Sequence, residues 1–409
     1  MAWRNLTEFL GLRRNTALLL IALVLAGTGE RLWLGFVPKY LQTLGASIFI
    51  IGLFDALQTL LGALYAYPGG WLTDRWGQRQ SLMLFSALSL GGYALVLFWQ
   101  HWMAVLLGAF LFLAWSAFSL PATFTVIATS LKQTQHTMGV GVQSMVRRVP
   151  MMLGPLIGGW LISRFGWQQG IKFALLGCLG LSAATILFQW CIAEPAIEHD
   201  SPKDSGKPII SFAGVVKLFN PTLRELLVSD ILIRFCERIP YAFVILWAMN
   251  HGGLTAQQFG VLTAVEMGTA MLCYIPVAHL ADKYGQRPFV LITFLFFTLF
   301  PVSLIWANTF ATLALAFVVR GLKEFGEPAR KALIIAQAPP DLRSRTFGAY
   351  YLIRDCVVTS GSFLGAWWWN INPRANFVGA ALIGFGGTVW FWWTVYRPWE
   401  GRPELQNSS

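Results

Sequence analysis

A segment that crosses the hydrocarbon core of a bilayer as a helix needs about 20 apolar residues. This chain of 409 residues carries such runs one after another, over 15–41, 47–67, 81–99, 103–129, 138–162, 171–193, 226–248, 257–280, 288–307, 310–337, 345–369 and 376–396. Twelve spans leave little chain for anything else, so the sequence predicts an all-α, polytopic membrane protein. The balance of residue types agrees. Charged residues make up only 12% of the chain and hydrophobic ones 56%, whereas a soluble domain averages about 25% charged. A water-exposed surface cannot go without charge; lipid must replace water around most of this one.

The net charge is +11, but the basic residues do not gather in one patch of the kind that binds nucleic acid. They fall in the short gaps between apolar runs. With the N-terminus placed inside, the inner segments hold Arg4, Arg13, Arg14, Arg75, Arg79, Lys132, Lys203, Lys207, Lys217, Arg224, Lys283, Arg287, Arg343, Arg345, Arg397 and Arg402. The outer connections hold only Lys39, Arg164, Lys172 and Arg374. The excess of Lys and Arg on one side predicts that both termini are cytoplasmic, in a cell (inner or plasma) membrane. The polar, basic start and long first run read as an uncleaved first span, not a signal peptide.

Most gaps are short, and one is not. Residues 194–225 begin as a polar, Pro- and Ser-containing stretch that divides the chain near its middle. The expected organisation is a six-helix bundle over 1–193, a cytoplasmic linker over 194–225 and a second six-helix bundle over 226–409. The two halves repeat. At a shift of 207 or 208 residues, Glu30-Arg31 falls on Glu237-Arg238, Pro68 on Pro276, Leu72 on Leu280, Asp74 on Asp282, and Gly77-Gln78-Arg79 on Gly285-Gln286-Arg287. Further along, Pro121-Ala122 meets Pro328-Ala329, Gly141 meets Gly348, Arg147 meets Arg354, and Gly154, Gly158 and Trp160 meet Gly361, Gly365 and Trp367. A register held that far, over polar, Gly and Pro positions, points to duplication of a six-helix unit. Parallel repeats with a binding site near the midplane between them are a known transporter plan.

The loop after the second span reads Gly70-Trp71-Leu72-Thr73-Asp74-Arg75-Trp76-Gly77-Gln78-Arg79, and the loop after the eighth reads His279-Leu280-Ala281-Asp282-Lys283-Tyr284-Gly285-Gln286-Arg287. Both resemble the G-x-L-a-D-r-x-G-r-[rk] signature of the major facilitator superfamily, and the resemblance extends over almost the whole chain. It implies the twelve-helix fold of that family in two six-helix repeats, with spans 1, 4, 7 and 10 lining a central cavity. In the family this motif latches the cytoplasmic side. The resemblance therefore implies gate roles for Gly70, Asp74, Arg75, Gly77 and Arg79, with Asp282, Gly285 and Arg287 as their second-half partners. Span 5 carries Gly141, Pro150 and Gly154-Pro155-Leu156-Ile157-Gly158-Gly159, similar to the family's antiporter pattern except that Pro150 stands where that pattern has Gly. Helix packing through small residues explains the same residues without reference to export.

An ionisable side chain within a span costs roughly 2.5–3.5 kcal/mol on insertion scales, so those retained should face the cavity or one another. Span 1 holds Glu30 and Arg31, span 2 Asp55, span 5 Arg147, span 8 Glu266 and span 11 Arg354. In span 7, Asp230, Arg234, Glu237 and Tyr241 follow helical spacing and predict one face, with Arg238 beside it. Span 10 predicts a second stripe from Arg320, Glu324, Glu327 and Lys331. Two mixed-sign stripes at one depth can pair and separate as a cavity opens. Glu30, Glu237, Asp55 and Glu266 are the candidate proton carriers. The intramembrane arginines incline the expected substrate toward an organic anion.

The expected function is alternating-access transport of a small organic solute driven by protons. A facilitator without ion coupling is the alternative within transport. An integral-membrane enzyme is disfavoured because neither HExxH nor GxSxG occurs, and a receptor because no non-membrane stretch is long enough for a sensing domain. Nothing matches the G-x4-G-K-[ST] loop of a nucleotide-driven pump. The five histidines are scattered, the five cysteines lie in apolar segments without CxxC spacing, and neither a metal nor a cofactor is expected. The expected partners are a small-molecule substrate, protons and the lipid bilayer; nucleic acid is not among them. A monomer, the family's usual form, is expected.

Overall fold

The computed structural model describes residues 14–116, 147–192, 212–339 and 342–400. Within these residues the chain is helical and contains no strand. The first half supplies α1 (Arg14–Leu34), α2 (Val37–Thr43), α3 (Ile48–Trp76), α4 (Gln78–Phe98), α5 (Trp102–Phe112) and α6 (Arg148–Trp190). The second supplies a short α7 (Phe212–Lys217), then α8 (Pro221–Tyr241), α9 (Val244–Asn250), α10 (Ala256–Tyr284), α11 (Gln286–Trp306), α12 (Phe310–Leu322), α13 (Glu327–Ala336), α14 (Arg343–Ile371) and α15 (Pro373–Phe391). A π-helical turn at Trp392–Tyr396 and the single turn α16 (Arg397–Glu400) close the described chain.

The duplication is visible helix by helix. α1 and α8 each have 21 residues, α2 and α9 seven, α3 and α10 29, and α4 and α11 21. The punctuation repeats as well. One residue, Gly77 at φ 82°, separates α3 from α4; its counterpart Gly285, at φ 85°, separates α10 from α11. A reversal this tight pairs the positive φ with ψ of 163° and 158°, a region essentially confined to glycine, where a side chain costs of order 1–3 kcal/mol. Gly77→Ala and Gly285→Ala are therefore each expected to lower the melting temperature of the purified protein by similar amounts. An unshifted melting curve would show that these loops tolerate a side chain.

Two predicted spans, 138–162 and 171–193, share α6, which is broken by Gly166 at φ 79°. Pro155 and a run of glycines mark its first arm. α8 begins at Pro221, inside the stretch assigned from sequence to the linker. Asn220 caps it by accepting a hydrogen bond from Leu223 N at 2.7 Å, and proline at the first helical position needs no amide partner.

The predicted spans 15–41 and 226–248 are interrupted at residues 35–36 and 242–243, and another break carries further consequences. Residues 310–337 do not form a continuous helix: α12 stops at Leu322, and α13 starts at Glu327. Pro328 in the first turn of α13 lacks the N–H and the room that a continuing helix requires. Gly326 lies against the Phe289 carbonyl, and its N–H donates to Thr293 Oγ1 at 2.6 Å. Arg320, Glu324, Glu327 and Lys331 therefore do not share one helix face. Arg320 lies near the end of α12, Glu324 in the turn and Glu327 at the start of α13, while the Lys331 side chain is 50% exposed.

By contact the chain divides into two units, residues 1–197 with 254–264 and residues 198–253 with 265–409. In the first, Leu19, Leu23, Leu82, Phe85 and Trp115 form a core, and Trp33 packs edge-on against Phe112 with ring centroids 5.0 Å apart. In the second, Leu223, Ile233, Val290, Phe294, Leu333, Ile334 and Phe391 do the same. Both units also turn large apolar side chains outward, among them Phe98, Leu272, Trp306, Leu315 and Trp367. A water-soluble surface does not carry so much exposed apolar area. Six described helical stretches are long and apolar enough to cross a membrane. α8, α10 and α14 have the length but also carry the charges considered next.

Candidate functional site

The second unit buries a network of ionised side chains contributed by α8, α10, α12, α13, α14 and the break between α12 and α13. At its deepest point Asp230, on α8, is fully buried. It pairs with Arg330 of α13, accepts a hydrogen bond from Tyr350 Oη at 3.2 Å, and lies 3.4 Å from Arg354 Nη1. Arg330 turns the rest of its fork to Glu327, with Nε to Oε2 at 3.0 Å and Nη2 to Oε1 at 2.8 Å. Two parallel bonds of this kind fix geometry as well as charge. Arg234 bridges the two helices, donating to Glu237 at 2.7 Å and to Glu327 at 3.0 Å.

The network continues toward α10 and α12. Lys323, in the break, donates to Glu237 Oε1 at 2.6 Å, and Arg320 lies 3.1 Å from Glu266. Lys323 is the C-cap of α12 and keeps helical dihedrals (φ −60°, ψ −22°), so it lies one turn on from Arg320 and shares Glu266 with it. Aromatic rings line the charges. The Arg234 guanidinium lies 5.1 Å from the Phe297 ring centroid and that of Arg354 4.1 Å from Tyr351. Cations desolvated over aromatic faces recover part of their lost hydration through the ring quadrupole. At the edge, Arg354 donates to Asp355 at 2.8 Å, and Arg238 donates to Ser362 at 3.3 Å.

Asp230, Arg234, Glu237, Glu266, Arg320, Glu327 and Arg354, all singled out by sequence, thus lie in one network. Lys323, Arg330, Tyr350 and Tyr351 are added by the structure. The internal repeat contained the signal that finds Arg330. Asp230, Arg234, Glu327 and Arg330 stand where the first half has the neutral residues Leu23, Gly27, Leu120 and Thr123. These four substituted positions pair with one another.

In the first unit, Glu30 and Asp55 are buried. The hydroxyl of Ser116 faces Glu30, with Arg31 and Arg147 as the nearby cations. Ser116 occupies the repeat position of Lys323, so the two Glu-Arg steps meet different partners: a hydroxyl at Glu30 and an ammonium at Glu237. Both steps are held the same way. A side chain at Gly154 would strike Arg31, and one at Gly158 the Leu32 carbonyl; one at Gly365 would strike the Ile239 carbonyl. The small residues of α6 and α14 let the backbones carrying Glu30-Arg31 and Glu237-Arg238 come close.

The gate candidates lie elsewhere. The side chains of Asp74 and Asp282 fall outside those described, although the backbones of both, and of Gly70, belong to α3 and α10. Arg75 lies 5.2 Å from the Trp71 ring centroid, and Arg79 is half-buried at the start of α4. Arg287 donates to the Val395 carbonyl at 3.4 Å, tying the second signature loop to the π-helical turn. Pro121, Ala122, Gly141 and the rest of residues 117–146 lie outside the described residues.

Comparison with known proteins places this arrangement. The chain is 26% identical to a multi-drug resistance efflux pump PmrA homolog of Lactococcus lactis subsp. lactis (strain IL1403), over 94% of this chain and 96% of that protein. It is 23% identical to multidrug resistance protein MdtG of Escherichia coli O1:K1 / APEC, with 97% of each chain covered. In fold it is similar to nucleoside transporter NupG, with a TM-score of 0.76 at 14% identity, covering 92% of this chain and 97% of that one. A bacterial homolog of the human lysosomal transporter Spinster aligns with a TM-score of 0.68 at 14% identity, covering 93% and 96%. These relatives are transporters, not enzymes. A family model described as Major Facilitator Superfamily matches residues 19–236 and 226–408, and this duplicated, multi-pass membrane transporter belongs to that family.

Proposed function

We propose that the chain exports small organic molecules across the cell membrane by alternating access, in exchange for protons, with Glu30 as the proton carrier. The observation that carries this reading is the unequal pairing of the two Glu-Arg steps. Protonating Glu237 leaves Lys323 with only Glu266, 3.9 Å away, as counter-charge in a buried site, which is costly. Glu30 has Arg31 and Arg147 as nearby cations when ionised, and faces the Ser116 hydroxyl, which donates to the Leu113 carbonyl at 3.1 Å and can accept from a carboxylic acid, so both protonation states find a partner. Asp55 and Glu266 are weaker candidates; Glu266 lies 3.1 Å from Arg320 and 3.9 Å from Lys323.

The direction and the drug-like substrate class rest on the names of the efflux relatives. Of the arginines that inclined the expectation toward an anion (Arg31, Arg147, Arg238 and Arg354), Arg354 bridges Asp230 and Asp355, Arg238 donates to Ser362, and Arg31 and Arg147 lie near Glu30. Organic anions therefore stand beside lipophilic cations and sugars as substrates to be screened. The excess of Lys and Arg in one set of connections supports cytoplasmic termini, and duplication supports the two-bundle organisation joined by a linker near 194–225. The two signature loops support a gate at that end.

Proteoliposomes carrying an internal pH dye test the mechanism. Addition of a transported compound is expected to produce a pH change in wild type and in Glu237→Gln, if less in the latter, and none in Glu30→Gln. Substrate flux without any pH change, equal in all three proteins, would establish a facilitator and remove the proton role.

A further inference from the structure

Span 4 is interrupted inside the first unit, and a serine of the neighbouring helix fills the interruption. α5 ends at Phe112, Leu113 forms a turn, and helix resumes over 114–116. In an unbroken helix the Trp115 N–H would donate to the Leu111 carbonyl. It donates instead to Ser89 Oγ of α4 at 3.3 Å, and that hydroxyl donates in turn to the Phe112 carbonyl at 3.2 Å. Ser89 is buried, and a side chain at Gly92, one turn further along α4, would strike Phe112 N. The two helices therefore meet closely at the break, where a small group that both donates and accepts is needed. The second unit repeats the device. In the break after α12, the Gly326 N–H donates to Thr293 Oγ1 of α11 at 2.6 Å. At the repeat shift of 207, Thr293 matches Ser86 and Gly326 matches Ser119. Ser89 is three residues past the one and Trp115 four short of the other, which is one turn along two antiparallel helices. The hydroxyl thus follows the broken backbone, not the inherited position.

We propose that Ser89 is a positioning residue for proton transfer at Glu30: it holds the break in span 4, and the break presents the Ser116 hydroxyl to the carboxyl group. The inference rests on Glu30 as the proton carrier. Ser116 follows Trp115 directly, donates to the Leu113 carbonyl of the turn at 3.1 Å and faces Glu30. With its own proton given to Leu113, its oxygen is left to accept from the protonated acid. Tyr93, one turn from Ser89 on the same face of α4, also lies near Glu30, so α4 passes beside the carboxyl group at the height of the break. From α6 the Cys178 thiol lies near as well, but it is committed to the Gly29 carbonyl at 2.8 Å. Loss of the Ser89 hydroxyl strands the Trp115 N–H. That group recovers a partner by closing the turn onto Leu111, which swings Ser116 off Glu30.

The test is infrared difference spectroscopy of the purified full chain at acidic pH, in which the carboxylic acid C=O band lost in Glu30→Gln is assigned to Glu30. Ser116→Ala removes the acceptor and should move that band to higher wavenumber, as for an acid whose O–H has lost its hydrogen bond. Ser89→Ala is expected to move it equally, the double variant no further, and Ser89→Thr to restore the wild-type position. Ser89→Cys keeps the volume but is a weak hydrogen-bonding group, and should move the band without the alanine variant's cost in packing. A band unmoved in Ser116→Ala, or in both Ser89→Ala and Ser89→Cys, would overturn the role of Ser89 and leave the carrier reading intact. If Glu30→Gln removes no band at any acidic pH, the carrier reading falls, and the role of Ser89 with it.

Discussion

Asp230→Ala is expected to be among the most damaging single substitutions in the second unit. The aspartate is fully buried, and Arg330, Tyr350 and Arg354 all converge on it. Removing it leaves Arg330 buried with only Glu327 as counter-charge, and breaking a buried pair by deleting one partner costs roughly 3–5 kcal/mol. In detergent this should appear as a large fall in melting temperature and in the yield of monodisperse protein. Asp230→Asn should cost less, because an amide oxygen still accepts from Arg330 and Tyr350. The double variant Asp230→Asn, Arg330→Met should recover much of the loss, because it removes the stranded charge and keeps the volume. If Asp230→Ala melts like wild type, the network is not load-sharing and its charges are independently hydrated.

The same network shows where a sequence stops being readable. The face of α8 was legible because an unbroken helix makes spacing equivalent to geometry: Asp230, Arg234 and Glu237 lie on one side because each is three or four residues from the next. The stripe predicted over Arg320, Glu324, Glu327 and Lys331 failed for the same reason in reverse. It assumed a helix that Gly326 and Pro328 interrupt. Once the helix breaks, phase is lost, and Arg330 takes a buried position that spacing assigned to others. The break itself was in the sequence. Its effect on which side chains face inward was not, since that depends on how Gly326 seats against Phe289 and Thr293.

Duplication made other features legible at long range. Gly77 and Gly285 share a loop position and the same positive-φ backbone. The repeat also carries information through its exceptions. Glu30 and Glu237 match, yet the residues that meet them, Ser116 and Lys323, do not. Identity between halves marks what both bundles need for packing and turning. Charge gained in one half alone marks Asp230, Arg234, Glu327 and Arg330, which need one another.

Gly158→Val and Gly365→Val are expected to abolish accumulation of folded protein. An added Cβ at either position lands on a backbone carbonyl, of Leu32 in the first unit and of Ile239 in the second. Overpacking against side chains costs roughly 1–3 kcal/mol because rotamers can give way; a carbonyl locked in its own helix cannot. The helices must separate instead, and the close approach that small residues allow is a main source of association between membrane helices. Gly361→Ala supplies the contrast. Its Cβ would sit 3.2 Å from the Phe235 ring, a side chain that can turn, so this variant should accumulate near wild-type levels. Size-exclusion profiles of fluorescent fusions would rank the three, and a normal profile for Gly365→Val would show that α8 and α14 can part without loss of the fold. The consequence reaches the site directly. Leu32 and Ile239 follow immediately after Glu30-Arg31 and Glu237-Arg238. The glycines that close the two helix pairs also set the depth of both Glu-Arg steps, so a milder change such as Gly177→Ala, whose Cβ would sit 3.1 Å from the flexible Leu32 Cδ1, should disturb the proposed proton movement through Glu30 before it unfolds the chain.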